Sequence, residues 1–282
     1  MFFFMLSAFG ITRSYLKKGE SYLKNILTKK IPILYFTFVF INLIYLIVNI
    51  ISGNAFDFWG FVSNALGFNL PLIGRDSWFI VSIIFLYILF AVVLLCTKKL
   101  KERNYISLGI IFAVIVILFI LSIVFAPDLI LVRSILCFPV GMVYAMFYKQ
   151  MTCFLKRFWI LVLVLAGVVI FTDFAFGFLE DQVRSLVACI FVITLVCKVN
   201  IKTQISYFIG VISLEVYLLQ ALVQQICAVW LLPYGQNTFT LVSLLITLLV
   251  SFAVYYLIFG VQKLIKLFWM RRRSCSKYCA KF

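Results

Sequence analysis

Glu215 stands about nine residues into an apolar run that covers 206–232. In a helix that places it at a depth of roughly 13 Å. A charged carboxylate at membrane depth is costly, so it is expected to be paired, protonated or put to chemical use. Ser213, Tyr217, Gln220 and Gln224 lie around it, spaced 4, 3 and 4 apart. That spacing makes one polar stripe on a helix, with Glu215 on the opposite side. A polar stripe in lipid faces the bundle interior or a wet cavity. Interhelical hydrogen bonding, worth about 1 kcal/mol per contact, is the structural alternative. Four polar groups in line exceed what packing needs, which favours the cavity. Arg133 lies one turn inside a second run, 129–148; it could pair with Glu215, meet a ligand or tie two helices together. The sequence has no histidine, and so lacks the commonest general base at neutral pH. It also lacks a Gly-rich phosphate loop and a Gly-x-Ser-x-Gly elbow. Cys275 and Cys279 are one helical turn apart, but with no histidine and no second pair nearby no metal site is expected.

The elements that must position these residues are membrane helices. Of the 282 residues 66% are hydrophobic and 12% charged, with a mean hydropathy of +1.18. A water-soluble core could not hide so much apolar side chain. Runs of roughly 20 residues, enough to cross about 30 Å of hydrocarbon, fall near 31–51, 77–97, 105–126, 129–148, 158–178, 185–198, 206–232 and 238–268. The expectation is an all-α, polytopic transmembrane helix bundle forming one domain over 1–282, with about eight full spans. An apolar stub at 1–11 is too short to cross and is expected to be a half-span. Residues 13–30 read as a basic loop in which Leu23, Ile26 and Leu27 share one face of a short helix on the membrane. The apolar segment 52–76 is expected to lie on the membrane surface or in the bundle. Pro139 and Gly141 fall mid-span and are expected to kink the fourth helix.

Apart from Arg75, Arg133 and Arg184, every basic residue falls on alternate loops or in the C-terminal tail. The positive-inside rule makes that side cytoplasmic, with the C-terminus on it. A net charge of +16 is thus a topology signal and an attraction to anionic membrane lipids, and nucleic acid is not an expected partner. The eight cysteines avoid the outer loops and read as free thiols. Trp59, Trp78, Trp159, Trp230 and Trp269 sit at the span boundaries as an aromatic belt.

Four segments then share a pattern. They are Phe2-Phe3-Phe4-Met5-Leu6-Ser7-Ala8-Phe9-Gly10, Lys29-Lys30-Ile31-Pro32, Asp76-Ser77-Trp78-Phe79 with Leu86-Tyr87, and Ser213-Leu214-Glu215-Val216-Tyr217-Leu218-Leu219. In order and spacing they resemble membrane acyltransferase family 3, whose multi-span members O-acylate carbohydrates. The resemblance implies an enzyme of the plasma (inner) membrane. It would move an acyl group, expected to be acetyl, from acyl-CoA as co-substrate to a cell-surface carbohydrate or lipid-linked glycan, with no bound cofactor. Lys24, Lys29 and Lys30 would receive the CoA phosphates; topology and lipid binding are the equal alternative. Arg133, Ser213, Tyr217, Gln220, Gln224 and Trp78 would line the substrate path. The family's first span, with its basic residue and catalytic histidine, is expected upstream of Met1, and the family's later histidine position is Gln220. The base is then expected to come from that segment or from Glu215, Asp76 or Asp173. Two other functions compete: an inactive relative acting as a scaffold, and a transporter or flippase for a lipid-linked glycan.

Overall fold

The computed structural model describes residues 2–53, 58–66, 78–98, 103–125, 135–172, 178–199, 203–231, 233 and 235–279. They are almost entirely helical, and no strand occurs among them. The helices are α1 (Phe2–Lys18), α2 (Glu20–Asn25), α3 (Ile31–Ile51), α4 (Phe58–Ala65), α5 (Trp78–Cys96), α6 (Arg103–Phe125), α7 (Cys137–Met146), α8 (Tyr148–Arg157), α9 (Trp159–Phe171), α10 (Phe178–Val199), α11 (Gln204–Leu231) and α12 (Gln236–Cys279). A π-helical turn, Ile26–Lys30, joins α2 to α3. The chain divides into two compact units: Met1–Tyr35 with Trp78–Lys202, and Phe36–Ser77 with Thr203–Phe282.

Four of the described stretches are long and apolar enough to cross a membrane: Glu20–Ile51, Phe79–Cys96, Tyr207–Leu231 and Gln236–Leu264. The pair α8–α9 makes a fifth if counted as one span bent by 86°. The chain is therefore a multi-pass, all-α membrane protein, and four to five spans meet this measure where eight were expected. Tyr105–Leu121 within α6, and α7, are shorter apolar helices. Helix α10 begins Phe-Leu-Glu-Asp-Gln-Val-Arg, so its 22 residues are not one apolar run. Of the expected span 158–178, Trp159–Phe171 is one helix and Phe178 begins the next, while 173–177 lie outside the described residues.

In the first unit the described part of the expected stub and loop is helical except at Gly19. Helix α1 continues to Lys18 because Phe4, Met5, Ala8, Ile11 and Tyr15 recur at helical spacing and are all buried. It stops at Gly19, whose φ of 64° is the left-handed conformation glycine supplies at helix ends, with its N–H bonded to Tyr15 O at 2.8 Å. Leu23 and Ile26 are fully buried in protein while Leu27 is exposed, so the face assigned to the membrane is turned inward. Helix α1 packs chiefly on α7. Gly141 is the closest point: a Cβ there would overlap the Met5 carbonyl oxygen and lie 2.9 Å from Ala8 Cβ. Pro139 sits in the first turn of α7, where its missing N–H costs no helical bond. The two residues expected to kink a span instead begin a helix and admit a neighbour. At the far side of α7, Phe147 (φ −100°, ψ 29°) and Phe158 (φ −107°, ψ 23°) leave helical geometry and set off α8 between them.

In the second unit α11 and α12 are the main packed pair. Ser243, Thr247, Ser251, Val254 and Ile258 form the buried edge of α12. Small residues on such an edge let backbones approach closely where no hydrophobic effect drives association. Thr247 and Ser243 bond back to carbonyls of their own helix at 2.7 and 3.2 Å.

Candidate functional site

In the second unit, Ile212, Glu215, Leu218, Leu219, Leu222, Val223 and Cys227 make the buried face of α11. Glu215 lies within this apolar stripe, 5% exposed, and is the one buried charged residue among those described. Its Oε2 has no hydrogen-bond partner among the described residues. The expected polar stripe borders this face: Ser213, Tyr217 and Gln220 are half-buried and Gln224 is exposed. Ser213 Oγ donates to Gly210 O of its own helix at 2.9 Å.

Helix α3 supplies the facing polar groups. Tyr45 Oη donates to Leu218 O and accepts from Leu222 N–H, each at 3.1 Å, inside the protein. One turn earlier on the same face stands Asn42, 1% exposed, with neither its Oδ1 nor its Nδ2 partnered among the described residues. A buried polar atom without a partner costs about 1–3 kcal/mol. Glu215 and Asn42 are therefore two positions in this unit where the fold keeps hydrogen-bonding capacity in reserve. The carboxylate can take a proton, and the amide can both donate and accept. Asn42 and Tyr45 were absent from the sequence reading. Their three-residue spacing in an otherwise apolar run was the available signal.

In the first unit two of the four shared segments meet. Phe79 packs against Phe4 and Phe3, with ring centroids 4.8 and 5.8 Å apart. Ser7 is hydrogen-bonded to the Tyr87 hydroxyl. The Phe-rich opening and the Trp-Phe entry with its Leu-Tyr pair thus form one packed cluster.

Lys24, Lys29 and Lys30 are exposed, also in the first unit. Lys30 and Lys18 approach the Tyr22 ring, with Nζ at 5.1 and 5.9 Å from its centroid, a cation–π arrangement. Glu20 pairs with Lys98 at 2.7 Å and ties α2 to the end of α5. The lysines and the α11 groups thus belong to separate units. Arg133, Asp76 and Asp173 lie outside the described residues, as does the side chain of Trp78 at the start of α5. The cysteines described, Cys96, Cys137, Cys153, Cys189, Cys197 and Cys227, are all free thiols, and no cluster of metal-ligating side chains occurs among the described residues.

A family model described as an acyltransferase domain matches residues 1–258. No curated protein and no solved structure matches the chain.

Proposed function

Because this chain belongs to membrane acyltransferase family 3, we propose that it is a multi-pass O-acyltransferase that moves an acyl group, acetyl in our reading, from acyl-CoA to a hydroxyl of a cell-surface carbohydrate or lipid-linked glycan. The observation that carries the reading is the family match over 1–258. In the reaction the acceptor oxygen attacks the thioester carbonyl, its proton passes to a base, and CoA leaves as the thiolate. We assign the base to Glu215, whose buried Oε2 is unpartnered among the described residues, and Asn42, buried and likewise unpartnered among them, as a further donor and acceptor. Asp76 and Asp173 are the other acids considered. Lys24, Lys29 and Lys30 receive the CoA phosphates, and Ser213, Tyr217, Gln220, Gln224, Arg133 and Trp78 line the acceptor's path. The proposal includes about eight crossings of the plasma membrane and a cytoplasmic C-terminus.

Membranes carrying the wild type or Glu215→Gln, supplied with labelled acetyl-CoA and an extracted glycan acceptor, test this. The wild type is expected to turn over acetyl-CoA, and the variant to lose about 10²-fold or more. Full turnover by the variant would move the base to another acid. The absence of histidine favours a second reading, a non-catalytic relative that holds another membrane enzyme. No turnover by the wild type, with co-purification of an active transferase, would establish that reading instead.

A further inference from the structure

Helix α8 has an inner and an outer side. Tyr148, Met151, Thr152 and Leu155 recur at 3- and 4-residue spacing and face the protein. They are tied down there. Tyr144 Oη and Thr152 Oγ1 are 3.3 Å apart, and the Arg13 guanidinium lies 4.8 Å from the Tyr148 ring centre. Lys149, Cys153, Phe154, Lys156 and Arg157 are left on the exposed side.

Helix α9 departs from α8 at 86°. Its 13 residues, Trp-Ile-Leu-Val-Leu-Val-Leu-Ala-Gly-Val-Val-Ile-Phe, carry no charge. One face of it, Ile160, Leu161, Val164, Leu165 and Val168, is more than half exposed. A helix of that composition runs in hydrocarbon, so a helix at a right angle to its end lies along the membrane surface. Along the exposed side of α8, ending at the break, runs a groove of about 560 Å³ lined by Lys149, Gln150, Cys153, Phe154, Arg157 and Phe158. Its cations are partly held in place: the Arg157 guanidinium is 5.6 Å from the Phe158 ring centre, and beside the groove Lys198 Nζ is 4.8 Å from that of Trp159. Positive charge thus meets bare apolar helix within one corner.

From this geometry we propose that the α8–α9 corner is a binding site for an anionic phospholipid of the surrounding leaflet. Its headgroup phosphate sits on Lys149 and Arg157, and its acyl chains run along the exposed face of α9. Two features single out a lipid over a soluble phosphate: the apolar walls at Phe154 and Phe158, and the exposed face of α9 beyond the break, which has no polar group to offer. Each basic residue at an anionic leaflet favours an anionic lipid about fivefold, so two together give a preference on the order of 25-fold.

Cys153 lines the groove and is exposed, which makes it the reporter. Full-length chains retaining only Cys153, or only the exposed Cys96, are placed in nanodiscs of phosphatidylcholine with 0 or 30% phosphatidylglycerol and labelled with an uncharged maleimide. Phosphatidylglycerol is expected to slow labelling of Cys153 roughly tenfold and to leave Cys96 unchanged. Lys149→Gln with Arg157→Gln should remove the protection. Both residues are exposed, so the fold should survive, and the two wild-type disc compositions decide the matter even if it does not. Equal slowing at both cysteines would mean general surface potential and would overturn the site. So would protection that persists in the double variant. Protection by CoA or inorganic phosphate in pure phosphatidylcholine discs would assign the groove to a soluble phosphate and overturn the lipid.

Discussion

One methyl group added at position 141 should destabilise the protein, although alanine is the better helix former. The new Cβ would overlap the Met5 carbonyl oxygen and lie 2.9 Å from Ala8 Cβ and 3.0 Å from the Met5 carbonyl carbon. Carbon atoms pack best about 3.5–4.0 Å apart, so α1 must withdraw by roughly 0.5–1 Å where it crosses α7. Overpacking of this kind costs about 1–3 kcal/mol. Replacing glycine by alanine in a helix returns up to about 1 kcal/mol. Because the overlap is with backbone atoms, the overpacking cost falls in the upper part of its range, about 2–3 kcal/mol, and the net loss is about 1–2 kcal/mol. At roughly 2–4 °C per kcal/mol for a chain near this size, the apparent melting temperature should fall by about 2–8 °C. Gly167→Ala in α9 is the matched control, because nothing lies within 4 Å of its new Cβ; it should melt at or above the wild type. Intrinsic fluorescence in one detergent at one heating rate is the assay, since such transitions depend on scan rate. A Gly141→Ala protein that melts at or above the wild type would refute the reasoning.

Tyr45→Phe removes the hydroxyl shared by Leu218 O and Leu222 N–H and should cost about 0.5–1.5 kcal/mol. The same melting assay would show it, and an unchanged transition would sever α3 from α11. Changing Lys24, Lys29 and Lys30 together to glutamine should weaken acyl-CoA binding roughly tenfold, measured by competition with labelled CoA. The same change at Arg271, Arg272 and Arg273 should not; equal losses would point to membrane electrostatics. In intact cells, single cysteines at 24, 150 and 277 should resist an impermeant thiol reagent, while one at 66 reacts. Labelling at 24 or 277 would reverse the orientation.

Where apolar residues run unbroken, the sequence was a good guide to the fold. The runs 31–51 and 77–97 became Ile31–Ile51 and Trp78–Cys96 almost residue for residue. Charge misled in the segment just before the first of these runs. Lys17, Lys18 and Lys24 read as a loop, yet the backbone there is helical because a buried face recurs beneath the lysines. The boundary at Phe158 was legible as the start of the run 158–178, whereas the helix formed by the basic segment before it, Tyr148–Arg157, was not. Gly141 shows a deeper limit. A glycine that bends a helix and one that admits a neighbour look alike until the partner is known, and here the partners are Met5 and Ala8 at the opposite end of the sequence. At the candidate site Glu215 was legible because a carboxylate in an apolar run is conspicuous. Asn42 was not, because one amide among aliphatic residues declares nothing until it is seen buried and unpartnered.

The Tyr45 hydroxyl has a further consequence, for motion. It accepts from the N–H of Leu222 and donates to the carbonyl of Leu218, the two groups that an undisturbed helix would join to each other. A side chain inserted in that ladder is one of the few recognised causes of helix bending. If this turn of α11 opens, neither backbone group is stranded, because the phenol already serves both. A bend at this turn, one turn beyond Glu215, would therefore leave neither backbone group without a partner. Bending there would swing the carboxylate relative to the part of α11 that follows, with Tyr45 as the pivot.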